Sequence, residues 1–367
     1  MKREAHNLTL AMIARDEEAS IARCLASVRG LAEEVIVVDT GSNDRTVGIV
    51  LEAGAEVVRF PWCDDFSAAR NAGLNAATGR WILVLDADEY LPPASAEALR
   101  ALVTNPAPPS RGYQLLNKSS NDAGRTGMIG KIVRLFPNLP AVRYEWPVHE
   151  QVVTSLQRAG IPVTDTEIEI IHTGYASAGI NAIKQARNLR ILEAQTAVEG
   201  HLEPMTCFFT GGALLDLGRL DEALAAYSLC RGLSEGGKEI REAARVRMAT
   251  CLVKLRRFEE ALALAPQYPV AEWHPELMLL VAEASLARSD TPRGIALLHS
   301  AIESRFRPLI PAYDPIKTKI RCVMALSSLF QEKAPSSALG LIRLAAECLK
   351  AGREPRLAEV LAIESEL

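Results

Sequence analysis

Two aspartates, Asp86 and Asp88, directly follow a run of large apolar residues at 81–85. Such a run is short enough for a strand buried on both faces, which places the acids at its carboxyl end. Ligands of open α/β sheets bind at that end. Two close carboxylates repel each other unless positive charge lies between them. A divalent cation that also binds phosphate oxygens can supply this charge. A solvated acidic turn after an ordinary strand would give the same motif, so both interpretations stay open here.

The N-terminal segment predicts the elements that position these acids. Apolar runs at 8–14 and 35–38 are typical of buried strands, and the spacing of apolar residues over 21–28 predicts a helix between them. Strands that alternate with helices pair in parallel through right-handed crossovers. The second strand ends at Asp39, in a Gly/Ser/Asn/Asp cluster that must turn. Two strands therefore end in aspartates at one edge of the predicted sheet.

Four short blocks resemble the family-two glycosyltransferases in order and spacing. They are residues 14–18 (ARDEE), 37–46 (VVDTGSNDRT), 66–73 (FSAARNAG) and 85–89 (LDADE). The resemblance covers roughly residues 7–175. It implies an α/β GT-A fold with a Rossmann-like mixed sheet, a nucleotide-sugar donor, a Mn²⁺ or Mg²⁺ ion, and inversion at the anomeric carbon.

The resemblance also implies a role for each motif residue. Asp39 would accept hydrogen bonds from a uracil or similar base, although a turn aspartate would look the same. Asp86 would face the ribose or the hydration shell of the metal, and Asp88 would bind the metal directly. Arg70 and Asn71 could contact base or diphosphate, or lie on a solvated helix face. The residues expected to form the nucleotide-sugar pocket are Ile13, Ala14, Asp16, Glu17, Asp39, Arg70, Asn71, Asp86, Ala87 and Asp88.

Two histidines downstream are further candidates. In relatives that continue into helical repeats, a histidine at the position of His172 completes the metal site, and imidazole is a common ligand of such ions; a core histidine is the alternative. An inverting transferase needs a base near the acceptor nucleophile, and Glu150 is the best candidate. The commoner acid–acid pair of the family is replaced here by His149 and Glu150. His149 could therefore share the role of base, position the acceptor or pack beside Trp146.

Between these regions, residues 117–131 are rich in Gly, Ser, Asn and Asp and lack strong periodicity. They are the natural candidate for a mobile loop over the acceptor side, and a plain hairpin would look similar. Arg134 follows in a strand-like run and could meet donor phosphates.

From about Gly179 the chain changes character, because strand-like runs vanish and helical spacing dominates. Residues 215–224 (LDLGRLDEAL) match 253–262 (VKLRRFEEAL), with a weaker echo at 293–297. The shifts of 38 and 33 residues are close to the tetratricopeptide (TPR) period of about 34. This half resembles three or four degenerate TPR units, which must stack to bury their apolar faces. The predicted domains are thus a GT-A domain at 1–179 and an all-α helical domain at 180–367.

Length and composition exclude several other classes. The chain has 367 residues, enough for two domains, and its net charge of −4 provides no basic footprint for nucleic acid. There is no signal-peptide pattern and no apolar run long enough to span a bilayer. Seven cysteines, an odd number without paired metal-ligand spacing, indicate reduced thiols and a cytoplasmic protein.

These observations predict a metal-dependent, inverting glycosyltransferase that moves a sugar from a UDP-sugar to a peptide, protein or glycan. Peptide S-glycosyltransferases are among the relatives in which helical repeats follow a GT-A domain, and the repeats here could hold the acceptor or form a homodimer. The alternative is a TPR interaction module whose first domain binds a nucleotide-sugar but is catalytically weak. A nucleotidyltransferase on a related sheet is disfavoured, because the chain lacks an early Gly-rich loop with a basic residue for a triphosphate.

Overall fold

The computed structural model describes residues 7–105, 109–120, 126–173, 178–199, 203–233, 237–306, 315–331, 334–351 and 353–364. The chain divides into two compact units, Met1–Asn181 and Ala182–Leu367. The first unit combines a sheet with helices and the second consists of helices, which agrees with the two fold classes predicted from the sequence.

The described part of the first unit contains one mixed sheet. Its strands are β1 (Leu8–Ala14), β2 (Glu34–Asp39), β3 (Glu56–Arg59), β4 (Trp81–Val84), β5 (Glu89–Tyr90), β6 (Gly112–Ser120), β7 (Thr126–Pro137) and β8 (Val163–His172). Their order across the sheet is β3-β2-β1-β4-β7-β6-β8-β5. The first four are parallel, β7 is antiparallel to β4 and β6, and β8 is parallel to β6 but antiparallel to β5.

The helices of this unit lie between its strands in the chain, and the first three connect strands that run in the same direction. They are α1 (Ile21–Ser27), α2 (Thr46–Glu52), α3 (Phe66–Ala76), α4 (Pro93–Val103) and α5 (Val153–Arg158). The Asp65 carboxylate caps the start of α3 by accepting a hydrogen bond from the Ala68 N–H at 2.9 Å. Further along, α3 approaches the sheet so closely that a Cβ at Gly73 would lie 3.1 Å from Val38 Cγ2.

Strand register brings the predicted acids to one edge of the sheet. Ala14, the last residue of β1, is opposite Asp39 of β2. On its other side β1 pairs with β4, with Ala11 opposite Val84. Because β4 runs in the same direction, its continuation carries Asp86 to the edge at which β2 ends.

Both faces of the central strands are buried, which explains their continuous apolar runs. Leu10 and Leu83 belong to one apolar cluster, and Ala11 and Ile82 belong to another on the opposite face. Leu10, Leu83 and Ile82 have no exposed surface. A strand end fixed by packing on both sides can hold functional side chains in place.

Residues 117–131 form a hairpin as far as the structure describes them. β6 and β7 pair from Asn117 opposite Gly130 to Ser120 opposite Thr126. Of the two alternatives left by the sequence, the hairpin is therefore the one observed; its tip, residues 121–125, lies outside the described residues.

The second unit consists of helices that pack in sequence. They are α6 (Ala178–Glu199), which begins before residue 182, α7 (Pro204–Asp216), α8 (Leu220–Gly232), α9 (Lys238–Lys254), α10 (Phe258–Ala263), α11 (Pro275–Ala287), α12 (Thr291–Glu303), α13 (Pro315–Phe330), α14 (Pro335–Ala351) and α15 (Leu357–Glu364). From α7 to α14 each helix contacts the next along the chain. None of the described helices is both long and apolar enough to cross a membrane.

Equivalent turns identify α7/α8, α9/α10 and α11/α12 as repeated helix pairs. The turn within each pair contains a residue with positive φ: Gly218 at 76°, Arg256 at 59° and Ser289 at 65°. Their separations, 38 and 33 residues, equal the shifts found in the sequence. In two of the pairs the next residue is an arginine that binds a glutamate three positions on, Arg219 with Glu222 and Arg257 with Glu260. The predicted helical repeats are thus present.

Candidate active site

Asp88 and His172 meet where the turn after β4 lies against the end of β8. His172 Nε2 is 3.2 Å from Asp88 Oδ2. The backbone is fixed at the same point, because the N–H and hydroxyl of Thr173 both donate to the Asp88 carbonyl, at 3.0 and 2.9 Å. Both side chains of the pair keep some exposure, 22% for Asp88 and 30% for His172. They can therefore be reached from solvent.

This pair fits a divalent cation. A carboxylate and an imidazole suit Mn²⁺-like ions, and two donors at right angles, each about 2.1 Å from one ion, lie about 3 Å apart. Within the described residues no cluster of three or more His, Cys, Asp or Glu could hold a metal by itself. Water and substrate phosphate are the ligands that usually complete a Mg²⁺ site with few protein ligands. Hydrogen bonds to Asp88 and Glu89 raise the pKa of His172 to about 10, which favours its protonated form beside the two carboxylates.

Asp86 has different surroundings, because both of its oxygens accept hydrogen bonds from arginines. Arg70 Nη2 donates to Oδ1 at 2.9 Å, and Arg134 Nη2 donates to Oδ2 at 2.7 Å. Burial alone would raise the pKa of Asp86, but the charges of Arg134 and Arg70 outweigh it and hold that pKa well below its usual range. Asp86 is therefore an ionised anchor for two buried guanidinium groups.

Glu89 is the buried centre of the same network. Its side chain has no exposed surface. One oxygen accepts from Arg134 Nη2 at 2.8 Å and from Asn117 Nδ2 at 2.7 Å, and the other accepts from the Asp86 N–H at 2.9 Å. A buried charge requires such partners. The sequence suggested phosphate for Arg134, but the structure places this arginine on Asp86 and Glu89.

Glu150 lies in a loop with unusual backbone geometry. Glu145 and Gln151 close the loop, each donating its N–H to the carbonyl of the other, at 2.9 and 3.1 Å. Trp146 and the exposed His149 have φ values of 70° and 57°, which are left-handed and unfavourable for such side chains. Strained backbone of this kind persists where the surroundings impose it, often at functional sites.

The Glu150 carboxylate has one committed oxygen. Arg70 Nε donates to Oε1 at 2.7 Å, and no described residue donates to Oε2. The side chain is 15% exposed. Glu150 therefore has a fixed orientation and a second oxygen that is available to accept a proton.

Asp39 occupies the end of β2 and is 5% exposed. One carboxylate oxygen accepts from the Ser42 N–H at 3.0 Å, which is the turn contact that the sequence left open. Within the described residues no hydrogen bond reaches the other oxygen. Recognition of a base by that oxygen stays a prediction.

The loops after β1 and β2 are tied together by side-chain contacts. Asp16, whose φ is 56°, accepts from the Asn43 N–H at 2.7 Å. The Glu17 N–H donates to the Thr46 hydroxyl, also at 2.7 Å. Both acids predicted for the nucleoside pocket thus lie in this double loop, where they hold its shape.

A small pocket lies beside this edge, and Ile13, Arg70 and Tyr144 are among the residues that line it. Asn71 is committed elsewhere: its amide donates to the Tyr144 carbonyl and accepts from the Tyr144 N–H, both at 2.9 Å. The remaining pocket candidates, Ala14 and Ala87, are buried, each with 4% of its surface exposed.

Comparison with known proteins agrees with these features. The model of the family described as Glycosyl transferase family 2 matches residues 9–108. A TPR repeat-containing protein of Synechococcus elongatus is 38% identical over 239 residues, which are 63% of this chain and 58% of that protein. The SPbeta prophage-derived glycosyltransferase SunS of Bacillus subtilis is 27% identical over 235 residues, 61% of this chain and 53% of SunS. The chain thus spans somewhat more than half the length of each relative.

Among solved structures, the fold is similar to that of glucosyl-3-phosphoglycerate synthase from Mycobacterium tuberculosis, crystallised in complex with Mn²⁺, UDP and glucosyl-3-phosphoglycerate. The TM-score is 0.36 at 18% identity, and the match covers 51% of this chain and 78% of that one.

Residues 9–108 therefore form a glycosyl transferase family 2 domain, as the four motifs indicated. The mixed sheet and the helical repeats agree with the predicted GT-A domain followed by an all-α unit, and the TPR-containing relative matches over most of this chain.

Proposed function

We propose that this protein is a metal-dependent, inverting glycosyltransferase that transfers a sugar from a UDP-sugar to a peptide, protein or glycan. One observation carries the proposal: an accessible Asp88–His172 pair lies next to a buried ion-pair network that also holds a carboxylate, Glu150. The first feature suits a cation with a diphosphate, and the second suits a fixed base. The family match over 9–108 supports the same class of reaction.

On the donor side, we assign the nucleoside to the edge formed by the loops after β1 and β2. Asp39 would accept hydrogen bonds from the base with the oxygen that Ser42 does not use. Asp88 and His172 would hold Mn²⁺ or Mg²⁺. When bound, that ion would neutralise the negative charge that develops on the diphosphate leaving group.

On the acceptor side, Glu150 would act as the base. Its free Oε2 would take the proton of the acceptor hydroxyl, thiol or amide as the acceptor atom bonds to the anomeric carbon. The bond from that carbon to the diphosphate oxygen would break on the opposite face, which inverts the configuration. Arg70, bonded to Oε1, would keep the carboxylate in place throughout.

We assign the helical repeats to the acceptor or to a second copy of the chain. Stacked repeats present extended surfaces that suit peptides and other subunits. The match with a TPR repeat-containing relative covers 63% of this chain, so that relative and this protein share more than the catalytic motifs.

The test is release of UDP from a panel of UDP-sugars, with and without Mn²⁺ or Mg²⁺, in chelator-treated protein. We expect one donor to be hydrolysed slowly in the absence of acceptor, and only when the metal is present. Thermal shift with each donor and Mn²⁺ identifies the donor independently of turnover. Metal-independent release would contradict the metal-dependent mechanism. Donor binding without any release would favour the interaction module instead.

A further inference from the structure

Four residues of α3 contact the loop that carries Glu150 or the segment that leads into it. They form two i, i+4 pairs, 66 with 70 and 71 with 75, and the members of each pair are neighbours on the helix surface. Three of them anchor the backbone of the loop or the residues just before it. The Phe66 N–H donates to the Pro147 carbonyl at 2.9 Å, and Asn71 pairs with the Tyr144 backbone as described above. Asn75 Oδ1 accepts a hydrogen bond from Arg143 Nη2 at 3.2 Å. These contacts place the loop but do not touch the Glu150 side chain.

Arg70 makes the fourth contact, and it differs from the other three. It is the only described residue that bonds the Glu150 carboxylate, through Nε at 2.7 Å. With Nη2, on the same edge of its guanidinium group, it bonds Asp86 at 2.9 Å. One planar group therefore joins the carboxylate of the base loop to a carboxylate of the donor edge.

The guanidinium group is itself held rigidly. Its side chain is 9% exposed and its plane lies over the Tyr144 ring, with Cζ 5.3 Å from the ring centroid. Nη1 is buried and has no partner among the described residues. A buried arginine that leaves a donor unpaired costs free energy, and its two charge-assisted bonds must compensate for that cost.

We propose that Arg70 is a positioning residue, which acts on the reaction by fixing Glu150 relative to Asp86. The inference rests on the proposed function, because it takes Glu150 as the base. A lysine could not replace the arginine, since an ammonium is a point donor without the rigid fork that spans two carboxylates. Arg134 would still hold Asp86 in such a variant, but no described charge would orient Glu150.

The experiment uses the full-length protein and compares Arg70→Lys, Arg70→Gln, Glu150→Gln and the double variant Arg70→Lys/Glu150→Gln. Asn75→Ala is the matched control, because it removes another anchor of the same loop without touching a carboxylate. UDP release gives kcat and KM for the donor, and hydrogen exchange of the Glu145 and Gln151 amides reports the order of the loop. Melting temperatures show which variants are folded.

We expect Arg70→Lys to lower kcat about 10- to 100-fold, the size of effect that a displaced catalytic group produces, with the donor KM changed less than about threefold. Asn75→Ala should leave both nearly unchanged. In the Glu150→Gln background the Arg70→Lys substitution should lower kcat little further, since the effects of residues that act as a unit are not additive. Faster amide exchange in Arg70→Lys should appear even in protein without donor.

The proposal is overturned if Arg70→Lys keeps the wild-type kcat, if its effect multiplies with that of Glu150→Gln, or if amide exchange in the loop is unchanged. A folded Arg70→Gln that behaves like wild type would also overturn it. Failure of the proposed function looks different: the wild-type protein would then release no UDP from any donor, and this result would remove the reaction to which Arg70 is assigned.

Discussion

Asp86 and Asp88 are one residue apart in the chain, yet their surroundings are opposite. Both oxygens of Asp86 are bonded to arginines, Arg70 and Arg134, inside a network that also contains the fully buried Glu89. The Asp88 carboxylate contacts a single described side chain, His172, and stays partly open to solvent. The turn after β4 therefore sends one carboxylate into a rigid ion-pair network and leaves the other free to take a ligand.

The contrast teaches that a pair of acids is not automatically a pair of metal ligands. A carboxylate already neutralised by two arginines has little to gain from a cation. A carboxylate paired with one protonated histidine can exchange that proton for a metal ion. We therefore propose separate roles, in which Asp86 would organise the site and Asp88 with His172 would bind the ion.

The largest expected effect is that of Asp88→Ala. Because it removes the only carboxylate assigned to the metal, we expect metal-stimulated UDP release to be abolished while the melting temperature stays near wild type. Asp165→Ala, which removes a mostly exposed acid paired with Lys131, is the matched control and should keep full activity. Near-normal metal-stimulated release by Asp88→Ala would remove the distinction between the two aspartates.

Glu150→Gln should come next. Loss of a positioned base typically lowers the rate by about 10²–10⁴, and the isosteric amide leaves the donor site intact. We expect donor affinity, measured by calorimetry with Mn²⁺, to be unchanged while transfer slows. An unchanged transfer rate would assign the base elsewhere, either to His149 or to the acceptor itself.

His172→Ala should give a milder version of the Asp88 defect. Asp88, the diphosphate and water remain as ligands, so we expect weaker metal affinity rather than complete loss of turnover. The weaker affinity should appear as a rate of UDP release that recovers as the Mn²⁺ concentration increases. If saturating Mn²⁺ gives no recovery, His172 does more than hold the ion.

The smallest effect on the reaction should come from the helical unit. A Cβ at Gly211 would lie 2.8 Å from the Tyr227 ring, so Gly211→Ala overpacks the α7–α8 contact. We expect a loss of about 1–3 kcal/mol in the free energy of unfolding, measured with urea. Gly212→Ala, whose Cβ would meet Tyr227 Oη at 3.7 Å, is the control and should not destabilise. Equal stability of the two variants would contradict the packing described for this repeat.

The fold could be predicted from sequence because its signals are local. Apolar runs bounded by turn residues define β1, β2 and β4, and the repeated turn motif defines the helix pairs. The meeting of Asp88 and His172 was also predicted, through the resemblance to a family. The hairpin of β6 and β7 was left open, since its composition suited a loop equally well.

The ion-pair network could not be predicted in the same way. Arg70, Arg134 and Glu89 come from α3, β7 and β5, and only the folded sheet brings them together. For Asn71 the sequence left open a contact with base or diphosphate and a solvated helix face, and it did not indicate the hydrogen bonds with Tyr144 that the structure shows. A basic or amide side chain has many possible partners, and periodicity specifies its face but not its contact.

The most direct measurement is Mn²⁺ binding in the presence of UDP, compared between Asp88→Asn and Asp86→Asn. The electron paramagnetic resonance signal of free Mn²⁺ reports how much of the ion is bound. We predict that Asp88→Asn loses Mn²⁺ binding but keeps the wild-type melting temperature. Asp86→Asn should bind Mn²⁺ with an affinity near wild type but melt earlier, because two buried arginines lose their shared counter-charge. If Asp86→Asn loses the ion and Asp88→Asn binds it normally, the division of roles between the two aspartates is wrong.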